Sequence, residues 1–247
     1  MDDLINGGQA PTVLNAAFTP LLFWDGRAKS FEEQTLGTIQ NPIDMAEMLD
    51  HFVLKLRTVK GYRRQFLNLF GTEVNPQGIA KAIAAFVRTL VSTNSAFDQY
   101  SLGNKQVMNQ ATIRGMALFK DKARCKLCHN GPNFTDNRFH NLGVPQVGAL
   151  KVDLGRYDVT SRERDKGTFK TPTLRSILET APYMHDGVFL SLEEVIEFLD
   201  KGGGVNPSLS PLMKPLGLTQ EEKADLLAFL EALTGASLKI EPPQLPH

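Results

Sequence analysis

Cysteine is nearly absent from this 247-residue chain, which has two, Cys125 and Cys128. That excludes a framework stapled by several disulfides, which needs four or more. An excess of one charge is also missing, since 27 basic and 27 acidic residues cancel. No global field therefore draws the chain to nucleic acid or to an acidic membrane surface. No run of eighteen apolar residues occurs, so no segment reads as a membrane-spanning helix. The opening MDDLINGGQAPTVLNAAF has no basic region followed by an apolar one. As given, the chain reads as soluble and without an export signal. Alternating apolar and polar runs long enough for strands are scarce. With 42% hydrophobic residues the chain can still bury a substantial core, as one large domain or two small ones, and a folded rather than disordered chain is expected.

Helical periodicity is what remains, and it predicts a mainly α fold. Ser30 with Glu33, Ser191 with Glu194 and Thr219 with Glu222 each read as a capping box at a helix start. In DMAEMLDHFVLKL the residues Met45, Met48, Leu49, Phe52, Val53 and Leu56 share a stripe, with Gly61 as the stop. Asp44 reads as the N-cap of that helix. Asn75 and Pro76 open another, with Ile79, Ile83, Phe86 and Leu90 facing inward. A third spans Thr112 to Lys120, and a last one, Glu221 to Leu233, uses Leu226, Leu227, Leu230 and Leu233 and stops at Gly235. Two long stretches, 131–173 and 202–218, lack periodicity, as loops wrapped around a bound group do.

The two cysteines stand in LFKDKARCKLCHNGPNFTDNRFHNLG, with His129 directly after the second. Two thiols two residues apart can bond both vinyl groups of one haem, and the next histidine can then reach the iron. Zinc is the main competing reading. It needs Cys125, Cys128 and two histidines, His140 being the nearest extra candidate, but His129 and His140 lack the usual pair spacing. A redox dithiol is the third, and it expects a βαβ context absent here.

The succession APTVLNAAF, FWDGRA, FEEQTLGTIQNP, AFVRTLVSTNSAFDQY, CKLCHNGPNFTDNRFHNLG, GTFKTPTLR and APYMHDGVFLSLEEVIEFL resembles the bacterial di-haem cytochrome c peroxidase and MauG family, in the family's order. The resemblance implies a cytochrome c-like electron-transfer haem domain at 106–247. Residues 1–105 then correspond to a remnant of the peroxidatic haem domain without its CxxCH. By motif, Cys125 and Cys128 are implied thioether anchors and His129 the proximal iron ligand. Trp24 falls where the family keeps an electron relay, and Gln34 and Asp44 fall at the peroxide-pocket positions. There the acid protonates and deprotonates peroxide oxygen, although aspartate is a methylene shorter than the family's glutamate. Gln9, Thr180 and Pro182 match the positions that hold a calcium ion. His185 is implied to lie near a haem propionate or the calcium loop. Arg27 and Arg175 are suited to pair with propionates, or equally to make surface salt bridges, and His140 is read as structural.

The chain departs from the pattern in two places. No further CxxCH precedes APTVLN, so the sequence is a fragment, has an upstream start, or is a single-haem relative. Leu199 stands where the family places an axial methionine or tyrosine, and Met184 and Met213 are nearby in sequence. The implied function is peroxide reduction with electrons from a small cytochrome c or copper protein. The alternative is a mono-haem electron-transfer or gas-binding module. The resemblance further implies haem c, a second haem in full-length members, a periplasmic location where haem c is matured, and a homodimer as a permitted assembly.

Overall fold

The computed structural model describes residues 9–147, 152–236 and 238–247. Its helices are α1 (Phe31–Gln40), α2 (Leu49–Thr58), α3 (Lys60–Phe70), α4 (Pro76–Arg88), α5 (Ala96–Ser101), α6 (Gln110–Lys120), α7 (Tyr157–Thr160), α8 (Leu192–Asp200) and α9 (Gln220–Glu231). Two short strands, β1 (Phe139–His140) and β2 (Phe169–Lys170), pair antiparallel. The mainly α expectation therefore holds.

Helix starts follow local chemistry. Ser191 and Thr219 form reciprocal capping boxes with Glu194 and Glu222. A further box, Ser95 with Asp98, opens α5. Ser30 accepts from the Glu33 amide as predicted, but the Glu33 carboxylate reaches back to Lys29 N rather than to Ser30 N. Asn75 caps α4, with Pro76 in its first turn.

Four expectations are corrected. The stripe at 45–56 is shorter than predicted: α2 begins at Leu49, while Met45 and Met48 are exposed. Asp44 consequently caps no helix. It lies in an exposed turn where its Oδ2 accepts from Asn41 Nδ2 at 2.7 Å. Gly61 stops nothing, because it lies buried in the first turn of α3, where a Cβ would meet Pro246 and His247. On α4 the inward face is Ile79, Ala80 and Ala84, whereas Ile83 and Phe86 face solvent. Each error has one source: periodicity locates a stripe but not which neighbour covers it.

The largest core lies in the C-terminal half. Phe97, Phe119, Phe134 and Phe229 interlock edge to face, with centroids 5.1 to 6.4 Å apart. α6 crosses α9 at Gly115, where a Cβ would collide with the backbone carbonyl of Asp225. Beside that crossing, buried Asp225 receives both nitrogens of Arg114 at 2.6 and 2.7 Å. Smaller clusters around Phe66 and Ile79, and around Leu22 and Phe31, fill the N-terminal half.

Among the contacts that join the halves are two polar seams. In one, the buried Asn15 carbonyl oxygen Oδ1 accepts from Ser92 N, and Ser92 Oγ meets Ser176 Oγ at 2.6 Å. In the other, Arg156 Nη1 donates to the carbonyls of Asp25 and Gly26 at 2.8 and 2.9 Å, while Lys170 N donates to the carbonyl of Trp24.

Candidate functional site

α6 ends at Lys120, and the chain turns through Arg124, held at φ 56°, into a 3-10 turn at Cys125–Leu127. His129 N donates to the Cys125 carbonyl at 2.8 Å, so residues 125, 128 and 129 sit on one helical turn. Positions three and four apart on such a turn share a face. The CxxCH spacing thus delivers two thiols and an imidazole to one side.

The chain then loops back through Gly131. The Phe134 carbonyl comes to 3.0 Å from His129 Nδ1. A carbonyl only accepts, so Nδ1 carries the proton and Nε2 is left as a bare donor atom. Burial of the ring lowers its pKa and keeps it neutral. This is the protonation state a metal-binding histidine requires.

All three residues line a cavity of about 810 Å³. Its wall is mainly apolar. Leu192, Ile196 and Leu199 come from α8, Leu226 and Leu230 from α9, and the predicted loops contribute Leu142, Leu154, Leu216 and Leu218. Both unperiodic stretches, 131–173 and 202–218, contribute to this wall. Trp24 reaches it from the N-terminal half, with its Nε1 donating to the Gln9 carbonyl at 2.7 Å.

The zinc and redox readings find little support. Among the described residues, the group with metal-ligand proximity is Cys128, Asp136 and His140, which leaves out Cys125 and His129. His140 Nε2 lies within hydrogen-bond distance of Asp136 Oδ2 at 2.9 Å. Burial pushes the thiol of Cys125 up to about 12 and that of Cys128 up to about 11. A reactive dithiol is tuned the opposite way.

Comparison with known proteins agrees with a haem site. A model of the di-haem cytochrome c peroxidases matches residues 2–106. Cytochrome-c peroxidase IdrP1 of Pseudomonas sp. (strain SCT) is 39% identical over 266 residues, which cover 95% of this chain and 70% of the relative. The methylamine utilization protein MauG of Methylorubrum extorquens is 40% identical over 240 residues, covering 96% and 67%. The chain belongs to the di-haem cytochrome c peroxidase family. Among solved structures, a MauG-like protein associated with microbial copper homeostasis superposes with a TM-score of 0.85 at 31% identity, covering 94% of this chain and 77% of the other. The di-haem peroxidase BthA of Burkholderia thailandensis, at 22% identity and a TM-score of 0.83, shares the fold.

The family's haem fits the residues present. The cavity is apolar and large, His129 offers a bare nitrogen, and polar groups on the wall lack a side-chain hydrogen-bond partner among the described residues, two of them His185 and Lys170. His185 is 5% exposed and stacks on Phe169 at 3.6 Å between ring centroids. Its Nε2 is buried without a hydrogen-bond partner, and burial lowers its pKa. Burial drives the pKa of Lys170 down to about 8.

The remaining predicted residues are dispersed. Leu199, Met184, Met213 and His140 line the cavity. Arg27 and Arg175 do not. Arg27 pairs with Asp25 at 2.9 Å and lies over the Phe23 ring. Arg175 donates to both oxygens of Asp98 and to the Pro132 carbonyl. Gln34 is half-buried on α1, and neither it nor Asp44 touches the cavity wall. Gln9 and Pro182 flank Gly187, and Gln9 N donates to the His185 carbonyl at 2.7 Å. Thr180 Oγ1 donates to the Ile177 carbonyl. Lys170 escaped the sequence reading. Its signal was a lone charge between Phe169 and Thr171 in GTFKTPTLR.

Proposed function

We propose that this chain is a haem c oxidoreductase of the di-haem cytochrome c peroxidase type that reduces hydrogen peroxide with electrons from a small cytochrome c or copper protein. The observation that carries the reading is the CxxCH on one helical turn at the cavity, with His129 Nδ1 committed to Phe134 and Nε2 bare. When bound, haem supplies a redox iron. Cys125 and Cys128 attach it, and His129 orients it and raises its own basicity through the Phe134 contact. Trp24, anchored through Nε1 to Gln9 and through its carbonyl to Lys170, stands at the boundary between the halves as an electron relay.

Gln34 and Asp44 keep the peroxide-pocket assignment, orienting peroxide and moving its proton. Because neither lines the cavity, we assign that step to the second haem of longer members. We assign residues 1–105 to a remnant of the peroxidatic domain without its CxxCH and 106–247 to the electron-transfer domain, although Ala96, Phe97 and Tyr100 already pack on the C-terminal core. Gln9, Thr180 and Pro182 are assigned to calcium, and His185 to a haem propionate. The periplasm is the proposed location, where haem c is matured. Among the described residues no helix is long and apolar enough to cross a membrane. A homodimer is the proposed assembly.

Intact mass after expression with c-type haem maturation tests the reading. One added haem is expected, and none would overturn it. A second reading, a mono-haem gas-binding or electron-transfer module, is favoured by Leu199 on the cavity wall, since leucine offers no donor atom. It predicts rapid carbon monoxide uptake by the reduced protein with little peroxide turnover. A low-spin spectrum indifferent to carbon monoxide counts against it.

A further inference from the structure

We propose that Lys170 is the cationic anchor of the haem, pairing its ammonium with a propionate carboxylate in the cavity; this rests on the haem reading above. Lys170 closes β2, and its backbone N–H is fixed on the Trp24 carbonyl at 2.8 Å, so the root of the side chain is held in place. The side chain lines the cavity, and among the described residues no carboxylate forms an ion pair with it. The contrast with Lys223 is direct. That side chain is 14% exposed and lies between Asp200 at 2.8 Å and Glu197 at 2.5 Å. A half-buried ammonium without a counter-charge is costly in proportion to its burial, and burial alone accounts for the depressed basicity of Lys170.

The missing anion is therefore sought in what fills the cavity. Haem has an iron face, an apolar rim and two carboxylates. The competing cations are already engaged: Arg27 by Asp25, and Arg175 by Asp98 and Pro132. His185 Nε2 is a neutral partner on the same wall but supplies no charge while burial holds it deprotonated. Among the described residues, Lys170 and Arg124 are the half-buried cations on this wall without a carboxylate partner, and Lys170 is the one rooted in β2 beside Trp24.

The test uses the full chain matured with haem, as wild type and as Lys170→Met, Lys170→Gln and Lys170→Arg. Intact mass counts covalent haem, and spectroelectrochemical titration reads the midpoint potential. Removing a positive charge beside the porphyrin favours ferric iron. The Met and Gln variants are expected to shift the ferric-to-ferrous ratio at fixed potential by about tenfold toward ferric, about 59 mV for a one-electron couple. The Arg variant is expected to stay near wild type. A Met variant with full haem mass and an unchanged midpoint overturns the proposal. Should Met and Gln fail to take up haem, uptake by Arg supports it and failure of Arg overturns it. A wild-type chain without haem mass is a separate failure, which removes the haem reading and this proposal with it.

Discussion

The Phe134 carbonyl decides which nitrogen of His129 is available, and so leaves Nε2 as the side of the ring that would ligate iron in the proposed haem site. The lysine on the same cavity wall has a pH consequence. Its basicity, lowered to about 8 by burial, rises again once a carboxylate stands beside it. In the haem-loaded protein the positive charge is then present at neutral pH and is lost only above about pH 8. Loss of a cation favours ferric iron, so the midpoint potential is expected to fall as pH rises through that range. In Lys170→Met the alkaline fall should disappear, as read by potentiometry between neutral and alkaline pH. Other charged or titratable groups share the wall: His129 and His185 are pushed down by burial, His140 contacts Asp136, Arg124 and Asp153 are half-buried, and Glu163, Lys166 and Lys214 are solvent-exposed. Leu199 carries a second prediction. Leu199→Met places a thioether on the wall, and the ferrous protein is expected to become low-spin and to bind carbon monoxide at least tenfold more slowly by stopped flow.

Among the elements, the α6–α9 crossing is the most demanding. Gly115 meets the Asp225 backbone with no room for a methyl group, so the interaxial distance depends on that hydrogen. Gly115→Ala gains helix propensity worth about 1 kcal/mol, yet overpacking at a closed crossing costs about 1–3 kcal/mol and here forces backbone apart. Net destabilisation is expected, seen as a lower thermal midpoint of the holoprotein. An unchanged midpoint would mean the helices slide freely. Capping chemistry at this scale was legible in the sequence. Ser191 with Glu194, Thr219 with Glu222 and Asn75 with Pro76 all start helices where predicted, because these signals act within one turn. The exposure of Met45, Ile83 and Phe86 was not legible, since a stripe is buried only where another element arrives to cover it. α3 was missed for a related reason: Gly61 looked like a stop but is the site where the C-terminal residues Pro246 and His247 close in.

Across the whole molecule, the two halves are held in register by main-chain carbonyls. Arg156, lying over the Phe139 ring, grips Asp25 and Gly26 from the far side of the seam, next to Trp24. Hydrogen bonds from a charged donor contribute about 1.5–3 kcal/mol. Arg156→Ala is accordingly expected to lower denaturant stability by about that amount. Covalent haem mass should be retained, and electron transfer past Trp24 should slow. A variant with wild-type stability would show that the seam rests on the Asn15, Ser92 and Ser176 contacts instead. The sequence by itself determined the helical class, the cap positions and the CxxCH, because each is set by groups within a few residues of one another. Only the tertiary structure decided that Arg27 and Arg175 are taken by Asp25 and Asp98 while Lys170 and His185 face a cavity without partners. Which charge pairs with which depends on segments brought together from across the chain, and that proximity has no imprint in local spacing.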